Sequence, residues 1–90
     1  MDMRGRSDLA CSYLFGRGVD QSYEMASRLF SELAEEGVAD AQYDLGVMYF
    51  EGKGVPQSYD GAARLFRMAS ESDRASARSM LSEMYDKDLI

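Results

Sequence analysis

An internal repeat with a period of 36 residues constrains the fold of this chain more than any other feature of its sequence. When the sequence is shifted by 36, thirteen of the twenty-eight positions from Leu9 to Glu36 meet an identical residue. A third, partial unit continues the phase of the first two. Its recurring residues are Ala75, Ala77, Leu81, Met84 and Tyr85. A fixed period of this length predicts stacked copies of one supersecondary unit.

Each unit is predicted to contain two helices separated by a glycine-rich loop. In the first helix of the second unit, apolar residues follow the 3.6-residue period of one helix face. They are Ala41, Leu45, Met48 and Tyr49. The segment from Gly52 to Pro56 then ends that helix, and Ser58 is suited to cap the next one, as Ser22 is in the first unit. We therefore expect five helices, at about residues 5–15, 22–36, 40–51, 58–72 and 74–86, and no strand.

The chain is expected to form one domain of residues 1–90, with units at about residues 5–38, 39–74 and 75–90. The single cysteine, Cys11, cannot form an internal disulfide, so the fold does not depend on one. No segment has the apolar core of a signal peptide or the roughly 20 apolar residues of a membrane span. These features predict a cytoplasmic protein, unless an upstream segment has been removed.

The second unit closely resembles the Sel-1-like repeat. The resemblance rests on the segment from Ala41 to Val55, with its Leu-Gly pair, tyrosine and Gly-x-Gly-Val loop, and on the Ala-Ala-Arg-Leu-Phe run from Ala62 to Phe66. The first unit departs from the pattern where Ala10 replaces the glycine of the Leu-Gly pair. This resemblance implies a right-handed α-solenoid, of about two and a half helix-turn-helix repeats, in which the first helices line a concave groove. It also implies a scaffold or adaptor role, often in bacteria.

The sequence lacks histidine and the motifs that mark common nucleophile, metal and phosphate sites. There is no histidine, so no Ser-His or Cys-His nucleophile pair can form, and His-based metal sites are excluded. The Gly-x-Gly loops at Gly16 and Gly52 lack the further residues of a phosphate-binding motif, and no calcium-loop spacing occurs. A net charge of −6 and a pI near 4.5 disfavour nucleic acid. We predict no enzyme activity, no metal and no cofactor.

The third predicted helix is apolar on both faces, and its second face is the predicted partner-binding site. At about 100° per residue, Tyr43, Val47 and Phe50 lie opposite the core stripe. In the first unit, Cys11, Leu14 and Phe15 occupy or adjoin the matching positions, and acidic residues rim the predicted patch. These rim residues are Glu51, Glu83 and Asp86. Exposed apolar patches with polar rims commonly mark interaction sites. The competing interpretation is that neighbouring helices bury much of this face.

The sequence therefore predicts an interaction module that binds a peptide or helix of a partner protein in the groove. The acidic rim favours basic residues on that partner. A small inhibitor that blocks an enzyme by occluding its surface remains an alternative. A structural subunit that stacks end to end is a further one, since Leu9, Leu14 and Phe15 could support weak self-association of an otherwise monomeric chain.

Overall fold

Five α-helices and their connecting loops make up residues 3–72 and 74–90, which are the residues that the computed structural model describes. The helices are α1 (Met3–Phe15), α2 (Tyr23–Glu35), α3 (Ala39–Glu51), α4 (Tyr59–Glu71) and α5 (Ala75–Asp86). The prediction of an all-α fold is confirmed. The predicted 1–90 domain also includes Met1, Asp2 and Asp73, which lie outside the described residues.

The same capping interaction starts the second helix of each repeat. The Ser22 hydroxyl accepts a hydrogen bond from the Met25 backbone N–H at 3.2 Å, and the Ser58 hydroxyl accepts one from the Gly61 N–H at 3.0 Å. Each satisfies a donor that the first turn of a helix would otherwise leave unpaired, which stabilises the helix by about 1 kcal/mol. Helix α3 ends at Glu51 and is capped by Gly52, whose φ of +72° suits a residue without Cβ.

The helices stack in chain order, as a solenoid requires. Each one packs mainly against its neighbours in the sequence, so α3 lies between α2 and α4. The resulting body measures 38 × 24 × 17 Å. No described helix is long and apolar enough to cross a membrane.

The core divides into two clusters with equivalent residues at their centres. Phe30 on α2 and Phe66 on α4 lie one period apart, and both are completely buried. Helix α3 contributes to both clusters. Its buried core face packs in the first cluster, and part of its second face packs against the other. Gly46 allows the close approach of α4, because a Cβ there would lie 2.7 Å from the Phe66 ring. At the same repeat position, Ala10 is buried in the first cluster.

Helix α5 closes the second cluster and exposes polar residues on its other side. Ala77 and Met84 are completely buried, whereas Ser79, Glu83 and Asp86 are exposed. The chain after α5 turns back, and the Leu89 and Ile90 side chains pack against the same cluster.

Candidate functional site

A pocket of about 490 Å³ opens between the end of α1 and the side of α3. Both helices are first helices of their repeats, and the loop that follows each of them also contributes to the pocket. We call it the α1–α3 pocket. It is lined by Leu14, Phe15, Gln21, Tyr23, Tyr43, Asp44, Val47, Met48, Glu51 and Lys53.

The loop after α1 fixes the α1 side of the pocket. The Ser22 backbone N–H donates a hydrogen bond to the Tyr13 carbonyl at 2.9 Å, and the Gln21 side-chain amide donates one to the Leu14 carbonyl at 2.9 Å. These bonds satisfy carbonyls that the end of α1 would otherwise leave unpaired. They also hold the loop against the turn that carries Leu14 and Phe15. The Phe15 side chain remains 60% exposed, which is unusual for so large an apolar group.

The loop after α3 closes the pocket by packing on the start of α2. Gly54 has a φ of +75°, and a Cβ at this position would lie 2.4 Å from the Tyr23 carbonyl oxygen. The loop can therefore approach the Tyr23 backbone this closely only with glycine at position 54. Beside it, the Lys53 ammonium lies 5.6 Å from the centre of the Tyr23 ring. The two repeats thus meet directly at this wall of the pocket.

Cations of the chain already lie over three aromatic rings of the pocket. In addition to Lys53 over Tyr23, the Arg17 guanidinium lies 4.9 Å from the Phe15 ring centre, and the Arg74 guanidinium lies 4.9 Å from that of Tyr43. Such contacts are attractive because the face of an aromatic ring is electronegative. These rings therefore combine apolar surface with an affinity for positive charge.

The pocket also contains carboxylates, and burial changes the behaviour of one of them. Desolvation raises the pKa of Asp44 above its ordinary value, with Arg74 opposing and Asp40 reinforcing the shift. Desolvation likewise raises the pKa of the nearby Cys11 thiol, and the charge of Asp44 adds to that rise. Both effects disfavour the thiolate, which is the reactive form of the side chain.

The structure brings five of the nine predicted site residues together at this pocket. They are Leu14, Phe15, Tyr43, Val47 and Glu51. Tyr43 is half-buried there, with its ring centre 5.6 Å from that of the buried Phe66. Leu14 and Phe15, two of the residues predicted to support self-association, contribute to the pocket wall.

The other four predicted residues do not line the pocket. Cys11 packs against the first core cluster. Phe50 packs against the second, with its ring centre 5.3 Å from that of Tyr59. Glu83 pairs with Lys87 at 3.4 Å on α5, where Asp86 is also exposed. The predicted acidic rim is therefore represented at the pocket by Glu51.

Five lining residues were not among those predicted, namely Gln21, Tyr23, Asp44, Met48 and Lys53. A helical wheel ranks residues of one helix and cannot position a loop, so it has no means of selecting Gln21 or Lys53. The sequence did contain one signal that could have pointed to Lys53. Both Gly-x-Gly loops carry a basic residue, Arg17 or Lys53, at the same repeat position.

A second pocket, of about 340 Å³, lies between the second helices of the two repeats. We call it the α2–α4 pocket. It is lined by Ser31, Ala34, Glu35, Leu45, Tyr49, Gly61, Arg64, Leu65 and Met68. It shares no residue with the α1–α3 pocket, so substitutions there provide a control surface on the same molecule.

Comparisons with known proteins agree on the architecture. The family model described as Sel1 repeat matches residues 5–38 and 39–73. Among solved structures, the chain is similar to c5321, a protective antigen present in uropathogenic Escherichia coli strains that displays an SLR fold. The TM-score is 0.92 at 33% identity, covering 94% of this chain and 18% of that one. A Sel1 repeat protein from Oxalobacter formigenes gives a TM-score of 0.87 at 28% identity, covering 90% of this chain and 33% of that one.

This chain thus spans about 18% of the length of the first of those two proteins and 33% of the length of the second. No curated protein matches it in sequence.

Proposed function

Because the chain belongs to the Sel1 repeat family, whose repeats are in general protein–protein interaction modules, we propose that it binds a partner protein through the α1–α3 pocket. The family is a non-catalytic scaffold family. A peptide or helix of the partner occupies the pocket and places an apolar side chain against Phe15 and Val47. The role is that of an adaptor or scaffold.

The shape and chemistry of the pocket support this proposal. Its volume of about 490 Å³ falls within the ordinary range for binding pockets, and its walls are mainly apolar and aromatic. Aromatic residues are enriched at protein interfaces, where they contribute a large share of the binding energy. The observation that carries the proposal is the 60% exposure of Phe15 at the edge of this pocket.

Site-specific photocrosslinking tests the proposal. A benzoylphenylalanine replaces Phe15 in one variant and Met68, which is 38% exposed in the α2–α4 pocket, in a matched control. We expect the variant at position 15 to crosslink a discrete protein in native cells, and the variant at position 68 not to do so.

The crosslinked protein is then purified and its affinity measured directly. Phe15→Ala is expected to weaken binding to it by about tenfold or more, as truncation of an aromatic hot-spot contact does, whereas Met68→Ala leaves the affinity unchanged. Equal effects of the two substitutions, or a crosslink confined to position 68, would refute the assignment of the pocket.

A further inference from the structure

The α1–α3 pocket contains a half-buried carboxylate, Asp44, that no cation neutralises at close range. Among residues 5–72 and 74–90, no hydrogen-bond donor or cation pairs with this carboxylate. Burying a charge without a partner is unfavourable, and this shows as the raised pKa of Asp44. The pocket therefore holds a negative charge that a suitable ligand could stabilise.

The nearby cations are already engaged with other groups. Lys53 lies 3.7 Å from Glu51, so these two charges of the pocket largely offset each other. Arg74 is bound to Asp40 at 2.7 Å and stacks on Tyr43, and it acts on Asp44 only from beyond ion-pair distance. Of the three charged residues that line the pocket, Asp44 is consequently the one without an ion-pair partner among the described residues, and Arg74 offsets its charge only in part.

The walls around Asp44 suit a long basic side chain. Tyr23 and Tyr43 present ring surface to the pocket, and both rings already attract a cation of this chain. Leu14 and Val47 offer apolar surface to the methylene stem of such a side chain. A carboxylate, aromatic faces and an apolar lining are together complementary to arginine or lysine.

We propose that the α1–α3 pocket recognises an arginine or lysine side chain of the partner, which extends between the aromatic walls and pairs with the Asp44 carboxylate. This inference rests on the proposed function and specifies the chemistry of the partner. The basic side chain gives specificity, while the apolar contact at Phe15 holds the adjacent part of the same segment.

A randomised peptide library displayed on phage, selected on the whole chain, tests this inference. Because the chain carries a net charge of −6, basic peptides could bind elsewhere on its surface, so the selected peptides are synthesised and measured on three variants. Asp44→Asn removes the negative charge that is proposed to pair with the basic side chain, with little change in the shape of the residue. Glu32→Gln removes an exposed charge outside the pocket, and Phe15→Ala tests the pocket itself. Circular dichroism confirms that each variant is folded.

We expect arginine or lysine at one fixed position of the selected peptides. Asp44→Asn should weaken their binding by about tenfold or more, and Glu32→Gln by less than about twofold. Replacing the peptide arginine with citrulline, or the lysine with glutamine, should weaken binding to the wild type but not to Asp44→Asn, since the two groups are coupled.

The remaining outcomes separate the two proposals. The inference would be overturned, and the proposed function left standing, if the peptides require Phe15 but show no preference for basic residues. The same holds if they require Phe15 but bind Asp44→Asn and the wild type with equal affinity. A selection that yields no peptide dependent on Phe15 would overturn both.

Discussion

Replacing Gly54 with alanine is expected to destabilise the chain considerably more than the same change at Gly18. The two glycines occupy the same repeat position and have almost the same φ, +75° and +76°. They differ in their surroundings, because a Cβ at position 54 would lie 2.4 Å from the Tyr23 carbonyl oxygen, whereas one at position 18 would meet no atom within 4 Å. Comparing the two variants therefore separates the energetic effect of the contact between the repeats from that of backbone strain at positive φ.

The magnitude follows from two contributions. Alanine at positive φ costs about 1–2 kcal/mol at either site, and the reduced freedom of the unfolded chain offsets about 0.4–1 kcal/mol of that. Gly18→Ala should therefore lower the free energy of unfolding by about 1 kcal/mol. At Gly54, displacing a packed backbone carbonyl adds a further cost of about 1–3 kcal/mol, as overpacking does, which gives a total of about 2–4 kcal/mol.

Thermal and urea denaturation, followed by circular dichroism at 222 nm, measure the difference. For a domain of this size, 1 kcal/mol corresponds to a shift in Tm of about 4–8 °C. The Tm of Gly18→Ala should thus lie several degrees below that of the wild type, and the Tm of Gly54→Ala at least about 8 °C below it. Equal shifts for the two variants would refute the argument, because they would mean that the Tyr23 contact contributes nothing beyond the strain at positive φ.

Three further substitutions have expected outcomes in denaturation experiments. Gly46→Ala should lower the free energy of unfolding by about 1–2 kcal/mol, because overpacking against Phe66 exceeds the gain of about 1 kcal/mol in helix propensity. Phe66→Leu should then cost less in the Gly46→Ala background than in the wild type, since the smaller side chain relieves that overpacking. Asp44→Asn should raise Tm at pH 7. Because the folded-state pKa of Asp44 is raised, this increase in Tm should shrink as the pH falls through that pKa towards the ordinary value of 3.8. An increase in Tm that does not change with pH would contradict the raised pKa. Glu36→Gln should lower Tm at pH 7, because a hydrogen bond from Arg6 lowers the pKa of Glu36; the deficit should be complete above the ordinary value of 4.5 and disappear as the pH falls through the lowered pKa.

The periodic part of the sequence was sufficient to predict the fold. Residues that recur every 36 positions, such as Phe30 and Phe66 or Ser22 and Ser58, occupy equivalent places in both repeats. Their spacing identifies the helices and their starting points because the same physical requirement, a buried ring or a capped N-terminus, arises once in each repeat.

The candidate site was less accessible to sequence reasoning, for reasons that Phe50 and Asp44 illustrate. A helical wheel describes an isolated helix, so it assigned Phe50 to the open second face of α3. In the structure the beginning of α4 covers that end of the face, and Tyr59 packs on the ring. Asp44 belongs to neither apolar stripe, and its proposed role depends on the positions of Tyr23 and Arg74, which only the folded chain specifies.

The position of α3 between the two core clusters has a consequence for cooperativity. One face of this helix belongs to the first cluster and the other packs against the second, so neither cluster can open without disturbing the helix that they share. We therefore expect the two repeats to unfold together, whereas solenoid repeats with weak interfaces can separate. The α1–α3 pocket is built largely on this same helix. A partner that binds only the folded pocket should accordingly stabilise the whole chain, and the increase in Tm should grow with partner concentration.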